Sequence, residues 1–286
     1  MEVSQAVRES ILPLGAKRVM LEQSRDTLET IVLGSSHGDH GFDPAYVPNS
    51  FNLCYRSLDL KHCHSLYQRT ITLCPNLKNL VLFYSVFSPG RVLEHSPDES
   101  EIGPLCSALF DLDVEYQSEP LTRLAQALTQ QLQDGMAATL IEETAKLDGR
   151  AGFLPNDQVA AAASAFQARL LSHIKNNYES GADYYLLKIL ALANRLGHQV
   201  TVVIPPVTSR YRDTLNTRSS VLFRELIEAV DLFPWTLPIK VLNAYDDEAY
   251  EDRFFIDSDN LDALGDGTRI LSQAIARMVP GSDAVA

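Results

Sequence analysis

Thr30-Ile31-Val32-Leu33-Gly34-Ser35-Ser36-His37-Gly38 is the stretch whose reading decides the fold. An apolar, largely β-branched run without polar alternation fits a central parallel strand covered on both faces. It stops at a glycine followed by two hydroxyls and a histidine. In open α/β sheets ligands gather beyond the carboxyl ends of such strands, so the run reads as a buried strand delivering Ser35 and Ser36 to a functional edge. The plainer alternative is that Gly34-Ser35-Ser36 simply turns the chain, since Gly and Ser are common turn residues. The α/β pattern of the remaining chain favours the first reading.

Outward from this block, strand-like runs recur at Ile31–Leu33, Ser50–Leu53, Leu80–Tyr84, Val200–Ile204 and Ile239–Leu242. Segments of helical periodicity separate most of them. The expected fold class is therefore α/β: a three-layer α/β/α sandwich on a central parallel sheet of about five strands in flavodoxin-like order. Leu58, Leu66, Tyr67 and Ile71 lay an apolar stripe on the helix between the second and third strands. After Tyr84, Ser88-Pro89-Gly90 and Ser96-Pro97-Asp98 are turn punctuation, and the acidic stretch from about Glu94 to Glu119 reads as loop. Helices are expected near Leu121–Leu132, Ala137–Lys146, Gln158–Asn177 and Asp183–Leu196, with Ala160–Ala165 a strong helix former. Gly197-His198 caps the last of these before a strand that Pro205-Pro206 ends. A final helix runs from about Gly267 to Met278 before a frayed tail at Pro280–Ala286. So long a connection between the third and fourth strands predicts one domain over 1–286 with a mostly helical insertion at about 90–180, part of it a lid or cap over the active edge.

Composition narrows the function. Of 286 residues, 45% are hydrophobic and 21% charged, as in ordinary globular proteins. The 24 basic residues are scattered among 37 acidic ones for a formal charge of −13, which argues against nucleic acid, whose grooves need clustered Lys and Arg. No apolar run approaches the roughly 20 residues of a membrane span. Met1 to Ser10 carries Glu2, Arg8 and Glu9, and the next apolar stretch is broken by Pro13 and Gly15, so no export signal is read and a cytoplasmic location is expected. Cys54, Cys63, Cys74 and Cys106 lack C-x-x-C spacing and are expected as buried free thiols. His37, Asp39 and His40, with His62 and His64, do not form a recognised zinc spacing. Gly34, Gly38 and Gly41 match neither G-x-G-x-x-G nor the P-loop. No metal and no cofactor are expected.

The chain resembles the SGNH/GDSL-like hydrolase superfamily, especially divergent members from bacterial surface-polysaccharide biosynthesis loci. The resemblance rests on four short blocks whose order and spacing span nearly the whole chain. Ile31-Val32-Leu33-Gly34-Ser35-Ser36 is similar to the family's strand-Gly-Asp-Ser block, with Ser35 at the Asp position and Ser36 at the nucleophile. Phe51-Asn52-Leu53 resembles the second strand, whose following loop supplies an oxyanion donor. Val200–Pro206 is similar to the late strand, and Asp257-Ser258-Asp259-Asn260-Leu261 with Gly265 to the terminal D-x-x-H block. Two departures matter. Asn260 stands where the family has its histidine base, and an amide cannot take a proton at neutral pH. Ser85-Val86-Phe87-Ser88 stands where the family has an oxyanion Asn, so only Ser88 or Ser85 can substitute.

A serine hydroxyl needs a base and preorganised donors to act as a nucleophile. His37, His40 and, from the insertion, His173 are the candidate bases. Asp257 either orients a base or caps a local turn. Gly34, Ser35, Asn52, Ser57, Ser88 and Asn260 are the expected oxyanion and substrate-binding positions. Tyr84, Arg210 and Arg56 follow strands, where a sugar, an acyl carrier or an anionic group could bind, or they serve packing and solvation. The resemblance implies an esterase or O-acyltransferase acting on a carbohydrate or other acyl-ester substrate, with Ser36 as nucleophile and an unconventional base. The alternative is a catalytically silent member of the fold kept as a binding or assembly protein of a polysaccharide pathway. Oligomeric state is not legible.

Overall fold

In the computed structural model the described residues are 4–114, 118–131, 136–146, 149–155, 165–179, 181, 183–215 and 219–280. The expected tail from 281 onward and the alanine-rich residues 160–164 lie outside them. In chain order the elements are α1 (Gln5–Ser24), β1 (Thr30–Leu33), α2 (Ser36–Gly41), β2 (Ser50–Asn52), α3 (Leu60–Leu73) and β3 (Asn79–Phe83). The connection to the next strand contains α4 (Ile102–Phe110), α5 (Glu119–Gln131), α6 (Ala137–Lys146), α7 (Phe166–Tyr178) and α8 (Asp183–Leu196). Then follow β4 (Gln199–Ile204), α9 (Ser209–Leu215), α10 (Ser219–Leu222), α11 (Arg224–Leu232), β5 (Lys240–Asn243) and α12 (Asp266–Met278).

The five strands pair entirely in parallel in the order β2-β1-β3-β4-β5, the flavodoxin-like arrangement. Burial on both faces explains the unalternating sequence of the central strands. Ile31, Leu33, Leu80, Leu82, Val200 and Val202 join the larger core, with side chains from α1, α3, α4 and α8. Val32, Val81, Phe83 and Val203 turn to the smaller core, completed by Leu271 and Ile275 of α12. The layers are thus helices, sheet, helix. Among the described residues no helix is long and apolar enough to cross a membrane.

One expectation about the elements is corrected, and one helix goes unread in the sequence: α1 runs 20 residues through Pro13. Proline removes the hydrogen bond to the carbonyl four residues earlier, and here that residue, Glu9, is solvent-exposed, so water can satisfy the group. The acidic stretch read as loop contains α4, because Pro104 is the third residue of the helix, where its missing N–H would have no helical partner anyway.

The strand order reverses between β1 and β3, and the crevice beyond their carboxyl ends is where the key segments meet. Gly34 allows this approach: its φ is +149°, and a Cβ there would lie 2.6 Å from Phe83 Cβ. Gly38 is equally constrained, with Cys54 Sγ 2.4 Å from a would-be Cβ. Asn52 then closes the carboxyl end of α2. Its amide nitrogen donates to the carbonyls of Gly38 and Phe42, each at 2.8 Å, and its Oδ1 accepts from Cys54 N at 3.0 Å. α12 secures the same end: Thr268 Oγ1 donates to His40 O at 3.0 Å, and Ser272 Oγ accepts from Asp43 N at 2.9 Å.

Candidate functional site

Ser35 occupies the N-cap position of α2, yet its hydroxyl makes no capping bond. N-cap serines normally accept from a backbone N–H of the first turn. Here Ser35 Oγ lies 3.3 Å from Nδ1 of His37 instead. The far side of the same ring, Nε2, lies 3.1 Å from Oδ2 of Asp259. Burial by itself would raise the Asp259 pKa, but Arg169, the His37 bond and His173 hold it well below the usual carboxylate range. An ionised carboxylate only accepts hydrogen bonds, so Nε2 carries the proton. In the neutral ring Nδ1 is then the acceptor facing Ser35. Ser35, His37 and Asp259 form a buried hydroxyl–imidazole–carboxylate relay beyond β1.

Asp259 is braced from two further directions. Arg169 of α7 reaches it through Nε at 2.8 Å and a second nitrogen at 3.1 Å, and Ser258 Oγ donates at 2.6 Å. A bidentate guanidinium fixes both the charge and the plane of a carboxylate. His173, one helical turn beyond Arg169, bonds Tyr211 of α9 through Nδ1 at 2.8 Å and stands 3.8 Å from Asp259. Burial pushes its pKa down to about 3, with Arg169 adding to the fall and Asp259 opposing it, so the ring is neutral at ordinary pH. The Phe87 ring touches both imidazoles, at 5.6 Å from His37 and 4.7 Å from His173.

The other residues singled out from sequence distribute as follows. Ser36 is the first residue of α2, half-buried, and no described residue hydrogen-bonds its hydroxyl. His40 shares a helix face with it at four-residue spacing. Burial lowers the His40 pKa against the pull of Asp39 and Asp257, and its Nδ1 has no partner among the described residues. Asp257 accepts from Asn260 N at 2.7 Å and Asn260 Nδ2 at 2.9 Å, so the terminal block keeps an acid paired with the residue three positions on. Asn260 is buried, with Oδ1 unpartnered among the described residues. Ser88 Oγ accepts from Ser85 N at 2.9 Å beyond β3. Asn52 is fully buried, its side chain engaged with α2 and Cys54 rather than turned to the edge. Ser57, at φ 63°, donates to Glu99. Arg56 is tied to Glu9 and Ser10 of α1, Arg210 stacks on Phe166, and Tyr84 packs on Phe223. His62 bonds Asp59, which caps α3, while His64 sits near Tyr185. All four cysteines are buried free thiols.

Sequence reading missed Asp259 and Arg169 as members of the site. The Asp-Ser-Asp-Asn run offers two carboxylates, and only the second faces His37. Arg169 and His173 carried a usable signal, since residues four apart on a helix share a face. No protein-family model matches the chain, and no curated protein matches it.

Proposed function

We propose that this chain is a serine-dependent acyl-ester enzyme, an esterase or O-acyltransferase of the SGNH-like kind, acting on a carbohydrate or polysaccharide precursor. The observation that carries the reading is the Ser35–His37–Asp259 relay at the switch point of a parallel sheet. The substrate class comes from the resemblance. In the reaction Ser35 Oγ attacks the acyl carbonyl while His37 Nδ1 takes its proton, and Asp259 stabilises the imidazolium. The imidazolium returns the proton to the departing alcohol as the ester C–O bond breaks. Water or a second sugar hydroxyl, deprotonated by the same ring, then releases the acyl group from Ser35. Backbone amides beside Ser36 and Ser57 are the oxyanion donors that the resemblance implies.

The resemblance puts the nucleophile at Ser36, whereas the imidazole stands beside Ser35, and one experiment separates the two. Turnover of an activated acetyl ester by the purified chain should fall about 10²–10⁴-fold in Ser35→Ala and in His37→Ala, with Ser36→Ala much less affected. The reverse ranking of the two serines would move the nucleophile to Ser36 and leave His40 as its base. A second reading, a silent binding scaffold, is favoured by Asn260 holding the family's histidine position in its bond to Asp257. No turnover by the unaltered chain with simple esters or with acylated glycans, together with glycan binding, would establish that reading instead.

A further inference from the structure

Helix α7 lies against the core by a mixed face whose hydrogen-bonded anchors are polar. α8 docks in the ordinary way, burying Leu186, Ile189, Leu190 and Ala193. On α7 the inward positions at four-residue spacing are Arg169, His173 and Asn177. Arg169 grips Asp259, His173 bonds Tyr211, and Asn177 Nδ2 donates to Val86 O at 2.9 Å and to Leu222 O. Between them α7 buries Leu170 and packs Phe166 and Ile174, partly buried, on the core, while Leu171 and Tyr178 are exposed. Beneath this helix His37, Ser85, Phe87, His173, Tyr211 and Tyr245 enclose a narrow gap with no room for a water molecule. The Tyr245 hydroxyl is buried there without a partner among the described residues. No acyl group can reach His37 through so tight a gap, and Ser35 beside it is itself buried.

We propose that α7 is a lid, latched shut over the Ser35–His37–Asp259 relay by Arg169, His173 and Asn177, and that substrate reaches the relay only when α7 lifts. The serine-enzyme reading supplies what the lid covers; whether the lid opens stands apart from it. A polar latch suits such a helix. Lifting it bares Leu170 and parts of Phe166 and Ile174, less apolar surface than α8 buries, and the freed carboxylate, hydroxyl and carbonyls can be hydrated, so opening costs less than lifting α8 would. The bonds are directional, so closure restores one geometry. Opening also takes Arg169 away from Asp259, so the relay is fully braced only in the closed state.

Amide hydrogen exchange of the full chain, followed by peptide mass at neutral pH, tests this directly. Local opening should make α7 amides exchange at least about 100-fold faster than those of α8 and α12, which open only with the whole domain. Asn177→Ala, which removes two hydrogen bonds, should speed α7 by a further factor of about ten and leave α8 and α12 unchanged. Equal protection of α7, α8 and α12 in the unaltered chain would overturn the lid. So would an Asn177→Ala effect spread evenly over all three. If that variant does not fold, the ratio in the unaltered chain decides alone. Exchange reports opening whether or not Ser35 proves nucleophilic, so an inactive protein with a fast α7 would reject the enzyme and keep the lid.

Discussion

Two buried carboxylates meet at α2, Asp39 from the helix itself and Asp259 facing its His37, and they are held in contrasting ways. Asp39 pairs with Lys17 of α1 at 2.9 Å, and the same ammonium donates to the backbone carbonyls of Asn52 and Gly152. Lys17 is wholly buried, and its partners are a helix, a strand end and a loop. Asp259 pairs with Arg169, whose side chain is 23% exposed, and turns its second oxygen to His37. Through one ammonium the first pair ties α1 to α2, a strand end and a loop. The second includes an imidazole and an arm from the insertion. Paired opposite charges therefore act as a strut within the fold at Asp39, whereas at Asp259 they hold the imidazole that the proposed reaction uses.

Breaking the strut should have the largest effect. Lys17→Met leaves the Asp39 carboxylate buried without its cation and should cost about 3–5 kcal/mol of unfolding free energy in urea titration. Adding Asp39→Leu should recover most of that loss, because replacing both members of a buried pair by apolar groups is often near neutral. No recovery would place the loss in the Asn52 and Gly152 carbonyls that the Lys17 ammonium also serves.

Acid should probe the other side. The folded pKa of His173 is about 3, below the 6.5 of an unperturbed histidine. The unfolded chain takes up that proton first, so the stability present above pH 6.5 is lost as pH falls from about 6.5 toward 3. His40, also lowered, acts with the same sign. Asp259 adds a further loss below about pH 4, since its folded pKa is depressed. We expect about 3 kcal/mol or more lost between pH 7 and 4 by denaturant titration, and a shallower slope in His173→Gln. A slope unchanged by that substitution would remove His173 as the cause.

The smallest expected effect sharpens the comparison most. Arg169→Gln leaves Asp259 with donors from His37 and Ser258 and should cost about 1–2 kcal/mol, less than the loss of Lys17. Because Arg169 lowers the His173 pKa and Asp259 raises it, the substitution should lift that pKa, as followed by NMR of the ring protons. A cost as large as that of Lys17→Met, with no change in the His173 titration, would make Arg169 a second strut.

Much of the frame was legible before any coordinates. All five strand runs were readable within a residue or so at each end, the central three because a strand buried on both faces needs an unbroken apolar run. α6 and α8 were legible over their full lengths from helical periodicity. α1 and α4 were hidden by prolines whose helical positions are tolerated for reasons of solvent access and register. At the site, the Ser-Ser-His block and its edge were visible, while the pairing within it was not. Ser35 and His37 are two apart, a spacing that brings side chains together only because Ser35 sits at a helix start and leaves its capping role unfilled.

The sequence by itself determined the alternation of strands and helices, the place where the first strand ends in hydroxyls and a histidine, and the absence of a zinc or phosphate-loop spacing. Each is written in residues close along the chain. Only the tertiary structure decided which serine faces an imidazole, which aspartate orients it, and that the insertion returns to brace that aspartate. Arg169 lies 90 positions from Asp259 and Lys17 lies 22 from Asp39. Contacts of that kind depend on how the helices cross the sheet, and local periodicity carries no record of the crossing.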